Sequence, residues 1–74
     1  MEALVVRGPM FHSRGDEEAF FWWMRRIRAV QRVSSRGHDL HIQLRPGAIS
    51  ADERREFRSI FHRYGMDTSG LDGL

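Results

Sequence analysis

The sequence predicts an α+β domain with the element order β-α-β-β-α. Two stripes, Phe20-Trp23-Met24-Ile27 and Phe57-Ile60-Phe61-Tyr64, each recur at i, i+3, i+4 and i+7 and so mark amphipathic helices. Residues 39–45 alternate strictly, with Leu40, Ile42 and Leu44 on one face, which is the period of a half-buried strand. A short β-branched run at residues 3–7 is stopped by Gly8-Pro9 and supplies a first strand.

In that first strand Leu4 and Val6 share one face, with Val5 and Arg7 on the other. Residues 8–15 form a loop, and Asp16-Glu17-Glu18 place acids where a helix N-terminus favours them. With Asp16 or Ser13 as N-cap, the first helix runs to about Arg28, Phe21 flanks its buried stripe and Trp22 points away. Residues 31–35 read as a weaker strand with Val33 inward, and residues 35–38 turn the chain into the strand at 39–45. Pro46-Gly47 ends that strand.

The second helix has the sharpest boundaries. Ser50-Ala51-Asp52-Glu53 fits a capping box, Gly65 stands where a left-handed residue follows a helix, and Met66 can fold back on the last turn. Residues 67–74 show no periodicity, so they are expected as a mobile tail beyond a single domain of residues 1–66.

This order is that of a split βαβ, ferredoxin-like plan without its last strand. A right-handed crossover leaves a gap between strands one and two that strand three fills, giving a three-stranded antiparallel sheet of order 1-3-2 with both helices on one face. Strand one is then an open edge unless residues 66–69 add a fourth strand.

At 74 residues there is room for one domain, and a chain of this size buries only roughly 60% of its unfolded surface, so its core must be used fully or shared with a second subunit. The absence of cysteine excludes disulfides and thiolate metal sites. The longest apolar run, from Ala19 to Met24, is far short of the ~20 residues that span a bilayer, and no signal-peptide pattern is present. A soluble cytoplasmic protein with no membrane partner is expected.

All twelve basic residues are arginine, against ten acids, for a formal charge of +2. Five of them, Arg25, Arg26, Arg28, Arg32 and Arg36, lie between Glu18 and Asp39 with no intervening acid. Codon bias in a GC-rich genome is one bland cause of arginine over lysine, but a guanidinium in either case stacks on aromatic rings and grips carboxylate or phosphate with paired hydrogen bonds.

The chemistry of sites is sparse. His38 and His41 are three apart and face opposite ways in a strand, His12 is in a loop and His62 stands alone on helix two, so no metal site is expected. Ser34, Ser35 and His38 are neighbours in a turn without the geometry of a nucleophile and its base, and no glycine-rich phosphate loop follows strand one. Asp39 and His41 share an open, flat sheet face, which gives an acid and base pair no enclosed site. No catalytic residue and no cofactor is assigned.

Two surfaces remain. Trp22 lies between Glu18 and the pair Arg25 and Arg26, a composition that serves equally as a local cation-π contact and as a binding hot spot. The outer sheet face carries Val5, Arg7, Arg32, Ser34, His41, Gln43 and Arg45, a cationic platform without the aromatic rings on which RNA bases stack. The expected function is a non-enzymatic interaction or regulatory module that binds a protein partner, or itself as a homodimer through the strand-one edge. The alternative is nucleic-acid binding, of RNA in particular, through Arg7, Arg32 and Arg45 together with Arg25, Arg26 and Arg28.

Overall fold

A computed structural model describes residues 2–74. The chain forms β1 (Glu2–Arg7), α1 (Arg14–Arg26), β2 (Val30–Arg36), β3 (Asp39–Leu44), α2 (Ala51–Arg63) and a 3-10 helix at Thr68–Leu71. The three strands make one sheet of order β1-β3-β2 with both pairings antiparallel, which is the predicted α+β class and strand order.

The register follows from the alternation in β3. Leu40, Ile42 and Leu44 pair with Val6, Leu4 and Glu2 of β1, and the three side chains of β3 are buried on the face the helices cover. The hairpin from β2 to β3 turns on Gly37 and His38, with positive φ (61°) at Gly37 alone, as a II′ turn requires at its first central position. On the far side of β3 the Gly8 amide donates to the His38 carbonyl at 2.7 Å. Residues of one antiparallel strand that bond the same neighbour recur every second position, so Leu4 and Val6 face β3 with their backbone groups. Ala3, Val5 and Arg7 turn theirs to the open rim.

β2 departs from the expected residues 31–35. It begins at Val30, ends at Arg36 and shifts register between Val30 and Arg32, where Gln31 is an extra residue. The bulge sets Val30 and Val33 on the same inner face although they are three apart. Val30 is buried and Val33 half-buried, so strict alternation would have overlooked the strand's main contribution to the core.

Ser13 caps α1, its hydroxyl accepting from the Asp16 amide at 3.1 Å. The helix ends at Arg26 rather than Arg28, because Ile27 is already extended (φ −74°, ψ 121°). Phe20, Met24 and Ile27 are buried as the stripe predicts, but Trp23 is only half-buried. Phe11, read only as loop, joins the core from outside the regular elements, with its ring 5.3 Å from that of Phe20 and 6.3 Å from that of Tyr64.

In α2 the capping box is complete. The Glu53 amide donates to the Ser50 hydroxyl at 3.1 Å, and the Ser50 amide donates to the Glu53 carboxylate at 3.0 Å. At the other end Gly65 has φ 68°, its amide reaches the His62 carbonyl and the Met66 amide reaches the Phe61 carbonyl, the paired bonds of a Schellman motif. Met66 is buried, as the fold-back predicts. Ser50→Ala is expected to cost about 1 kcal/mol with the fold unchanged, because one helix amide loses its acceptor. Chemical denaturation checks this, and a variant indistinguishable from wild type would show that the cap does not hold the helix start.

The last eight residues differ from the expected tail. Asp67 accepts from the Ser69 amide at 2.9 Å and starts the 3-10 helix, which brings Leu71 into the core at 3% exposure. Packing therefore continues past residue 66. No strand forms at residues 66–69, and one buried leucine in a single turn leaves no repeat for pattern reading to find.

Candidate functional site

The end of α1 and the start of α2 lie side by side and enclose a groove of about 530 Å³. Trp22, Arg26 and Arg28 form one bank, Asp52, Glu53 and Glu56 the other, and Trp23 and Ile27 lie between them. The helix ends explain the charges. Bases in the last turn of α1 and acids in the first turn of α2 each complement the local helix dipole, so apposing these two ends sets opposite charges across a gap.

Hydrogen bonds hold the banks in place. The Trp23 indole N–H donates to Glu56 Oε1 at 2.9 Å, which satisfies the polar end of an otherwise apolar ring and accounts for its incomplete burial. Glu53 uses both carboxylate oxygens, Oε1 for the Ser50 amide and Oε2 for the Ala29 amide at 2.8 Å. One carboxylate thus closes the cap of α2 and ties it to the turn after α1. Its pKa lies below the ordinary 4.5, chiefly through the Ser50 amide. Partial burial opposes this, and the Ser50 hydroxyl, the Ala29 amide and the Arg28 charge assist it.

Trp22 stands at the lip with 59% of its surface exposed. The Arg26 guanidinium lies over its ring, 4.7 Å from the centroid, as the i, i+4 spacing predicts. Among the described residues the one ion pair within 4.0 Å is Arg55 with Asp52 on the surface of α2. The basic bank therefore makes no direct ion pair with the acidic bank, and the groove is left open between them.

The other predicted residues do not join this site. Arg25 is exposed on α1 but does not line the groove. On the outer sheet face the register aligns Arg7 with Asp39 and Arg36, Val5 with His41 and Ser34, and Ala3 with Gln43 and Arg32. Arg7 and Arg32 consequently sit at opposite corners, with Asp39 beside the first. β3 ends at Leu44, and Arg45 Nε donates to the Arg28 carbonyl at 2.9 Å, so Arg45 belongs to the end of the sheet rather than to its face. The cationic platform of Arg7, Arg32, His41 and Arg45 is dispersed, and its central row carries no guanidinium.

Sequence reasoning overlooks Trp23, Asp52, Glu53 and Glu56 as site residues, and offers Arg28 only for the nucleic-acid alternative. The usable signal was the capping-box glutamate, since a carboxylate has a second oxygen free to reach another element. Among the described residues no three His, Asp or Glu side chains gather as a metal site, and no helix is long and apolar enough to cross a membrane.

No family model, curated protein or solved structure matches the chain.

Proposed function

We propose that this domain is a non-enzymatic interaction module that binds a partner protein in the groove between α1 and α2, with Trp22 as the anchor. The carrying observation is the exposed Trp22 ring, held in place by Arg26, at the lip of a groove with apolar side chains between a basic and an acidic bank that make no ion pair with each other. A partner segment that fits would lay an apolar side chain against Trp22, Trp23 and Ile27, point an acid toward Arg26 and Arg28, and point a base toward Glu56. Aromatic anchors flanked by arginine supply much of the energy of protein interfaces. The arrangement is read as the ferredoxin-like plan without its fourth strand, supported by strand order 1-3-2 and by one core shared between the sheet and both helices.

Nucleic acid is the weaker reading, because three acids line the groove and the outer sheet face has no aromatic ring. The test compares capture by wild-type protein and by Trp22→Ala from the native cell extract, followed by affinity measurement on the retained partner. Trp22→Ala is expected to weaken binding by about 2 kcal/mol, roughly 30-fold in Kd. The fold should survive, since the ring is exposed and its cation-π contact contributes only ~0.5–1 kcal/mol. Full affinity in the variant, or binding that collapses with moderate salt as phosphate contacts do, would overturn the proposal.

A further inference from the structure

β1 is one rim of the sheet, and Ala3, Val5 and Arg7 present their backbone N–H and C=O groups to the outside. The next residue in that series is Pro9, which has no N–H and so ends the row. The opposite rim, β2, is interrupted by the bulge between Val30 and Arg32, a common means of blunting an edge. β1 has neither a bulge nor an internal proline, and the chain has no lysine to guard it. The 3-10 helix lies below the inner face, where a Cβ on Gly70 would approach Val6 Cγ1 to 3.2 Å, but no hydrogen bond from it reaches β1 among the described residues.

The side chains are as incompletely covered as the backbone. Val5 is 54% exposed on the outer face, and Leu4 and Val6 are half-buried although their β3 partners Ile42 and Leu40 are fully enclosed.

We propose that a second copy of this chain covers the rim, with the two β1 strands pairing antiparallel about a two-fold axis at Val5. The register is selected by chemistry. Centred there, Val5 meets the partner's Val5 on the outer face, while Leu4 meets the partner's Val6 on the inner face, so the half-buried apolar side chains cover one another. Ala3 bonds the partner's Arg7, Arg7 bonds the partner's Ala3, and every outward-facing residue from Ala3 to Arg7 is used in both copies. Pairing centred on Arg7 would set that guanidinium against the partner's Arg7 and spend Val5 on the partner's Pro9. Pairing centred on Leu4 would oppose Val5 to the partner's Ala3, so the two exposed valines would not cover one another. The result is a continuous six-stranded sheet whose two-fold contact is isologous. This surface is separate from the Trp22 groove, and the two readings fail independently.

Sedimentation equilibrium across the micromolar range should show a mass rising to twice that of the monomer, and a strictly monomeric protein would overturn the proposal. Val5→Pro removes an edge amide without touching the ladder to β3, and Val5→Lys sets like charges together on the axis from an exposed position. Both are expected to lose the dimer. Val5→Lys, monitored by a cooperative melt, decides the matter if the proline variant does not fold. Because the chain lacks cysteine, Val5→Cys is a clean reporter of register. Opposed residues in a hydrogen-bonded pair have Cα atoms about 5.5 Å apart, within disulfide range, so mild oxidation should yield covalent dimer. Ala3→Cys, offset from its own copy by four residues, should not. A dimer that survives Val5→Lys, that is lost in Trp22→Ala, or that cross-links as readily through Ala3→Cys would overturn the arrangement.

Discussion

Phe61→Ala is expected to remove about 3–5 kcal/mol of stability. Phe61 is fully buried with Phe57 and Ile60 on the inner stripe of α2, among residues of α1, β2, β3 and the 3-10 helix. Truncation forfeits the transfer energy of the ring and leaves a void that a thin, one-layer core has few side chains to fill. A domain of 74 residues has roughly 4–11 kcal/mol in total, so the variant should lie close to unfolding at ambient temperature. Circular dichroism melts check this. A cooperative transition within a few degrees of wild type would mean that α2 rests on a different face.

The elements that pattern reading found are those whose side chains repeat in a regular backbone. Leu40, Ile42 and Leu44 define β3, and the two helical stripes define which faces of α1 and α2 are covered. Local hydrogen-bond signals were also legible, and Ser50, Glu53, Gly65 and Met66 take the roles that their spacing implies. Where the backbone period breaks, pattern reading fails with it. Gln31 shifts the phase of β2 and hides Val30, α1 stops at Arg26 before its buried stripe does, and Leu71 lies in a turn too short to repeat.

The candidate site was legible only in part, for a different reason. Trp22 follows from helical phase alone, because it lies opposite the stripe, and its contact with Arg26 is local. The groove beside it is tertiary. Trp23 meets Glu56 across 33 positions and Glu53 meets Ala29 across 24, so nothing in either helix read alone places those carboxylates beside the tryptophans. Arg45 falls on the sheet face only if the alternation is extended one residue past the end of β3.

Glu53→Ala is expected to cost about 2–3 kcal/mol, more than the loss of Ser50, because it strips acceptors from two elements at once. The Ser50 amide loses one half of the capping box, and the partly buried Ala29 amide is left without its partner in the turn between α1 and β2. Glu53→Gln separates charge from geometry. Its single carbonyl oxygen can serve one amide, but the amide nitrogen faces the other donor, so an intermediate loss of roughly 1 kcal/mol is expected. The folded-state pKa of Glu53 is lowered below 4.5, which makes its stabilisation complete above the unfolded value and progressively lost as the pH falls through the folded one. The stability gap between wild type and Glu53→Gln should therefore be constant near neutrality and narrow on acidification below 4.5, as read by urea denaturation at a series of pH values. A gap that stays the same into strong acid would show that the ionised carboxylate does not hold the two helix ends together, and that the shape of the groove rests on packing alone.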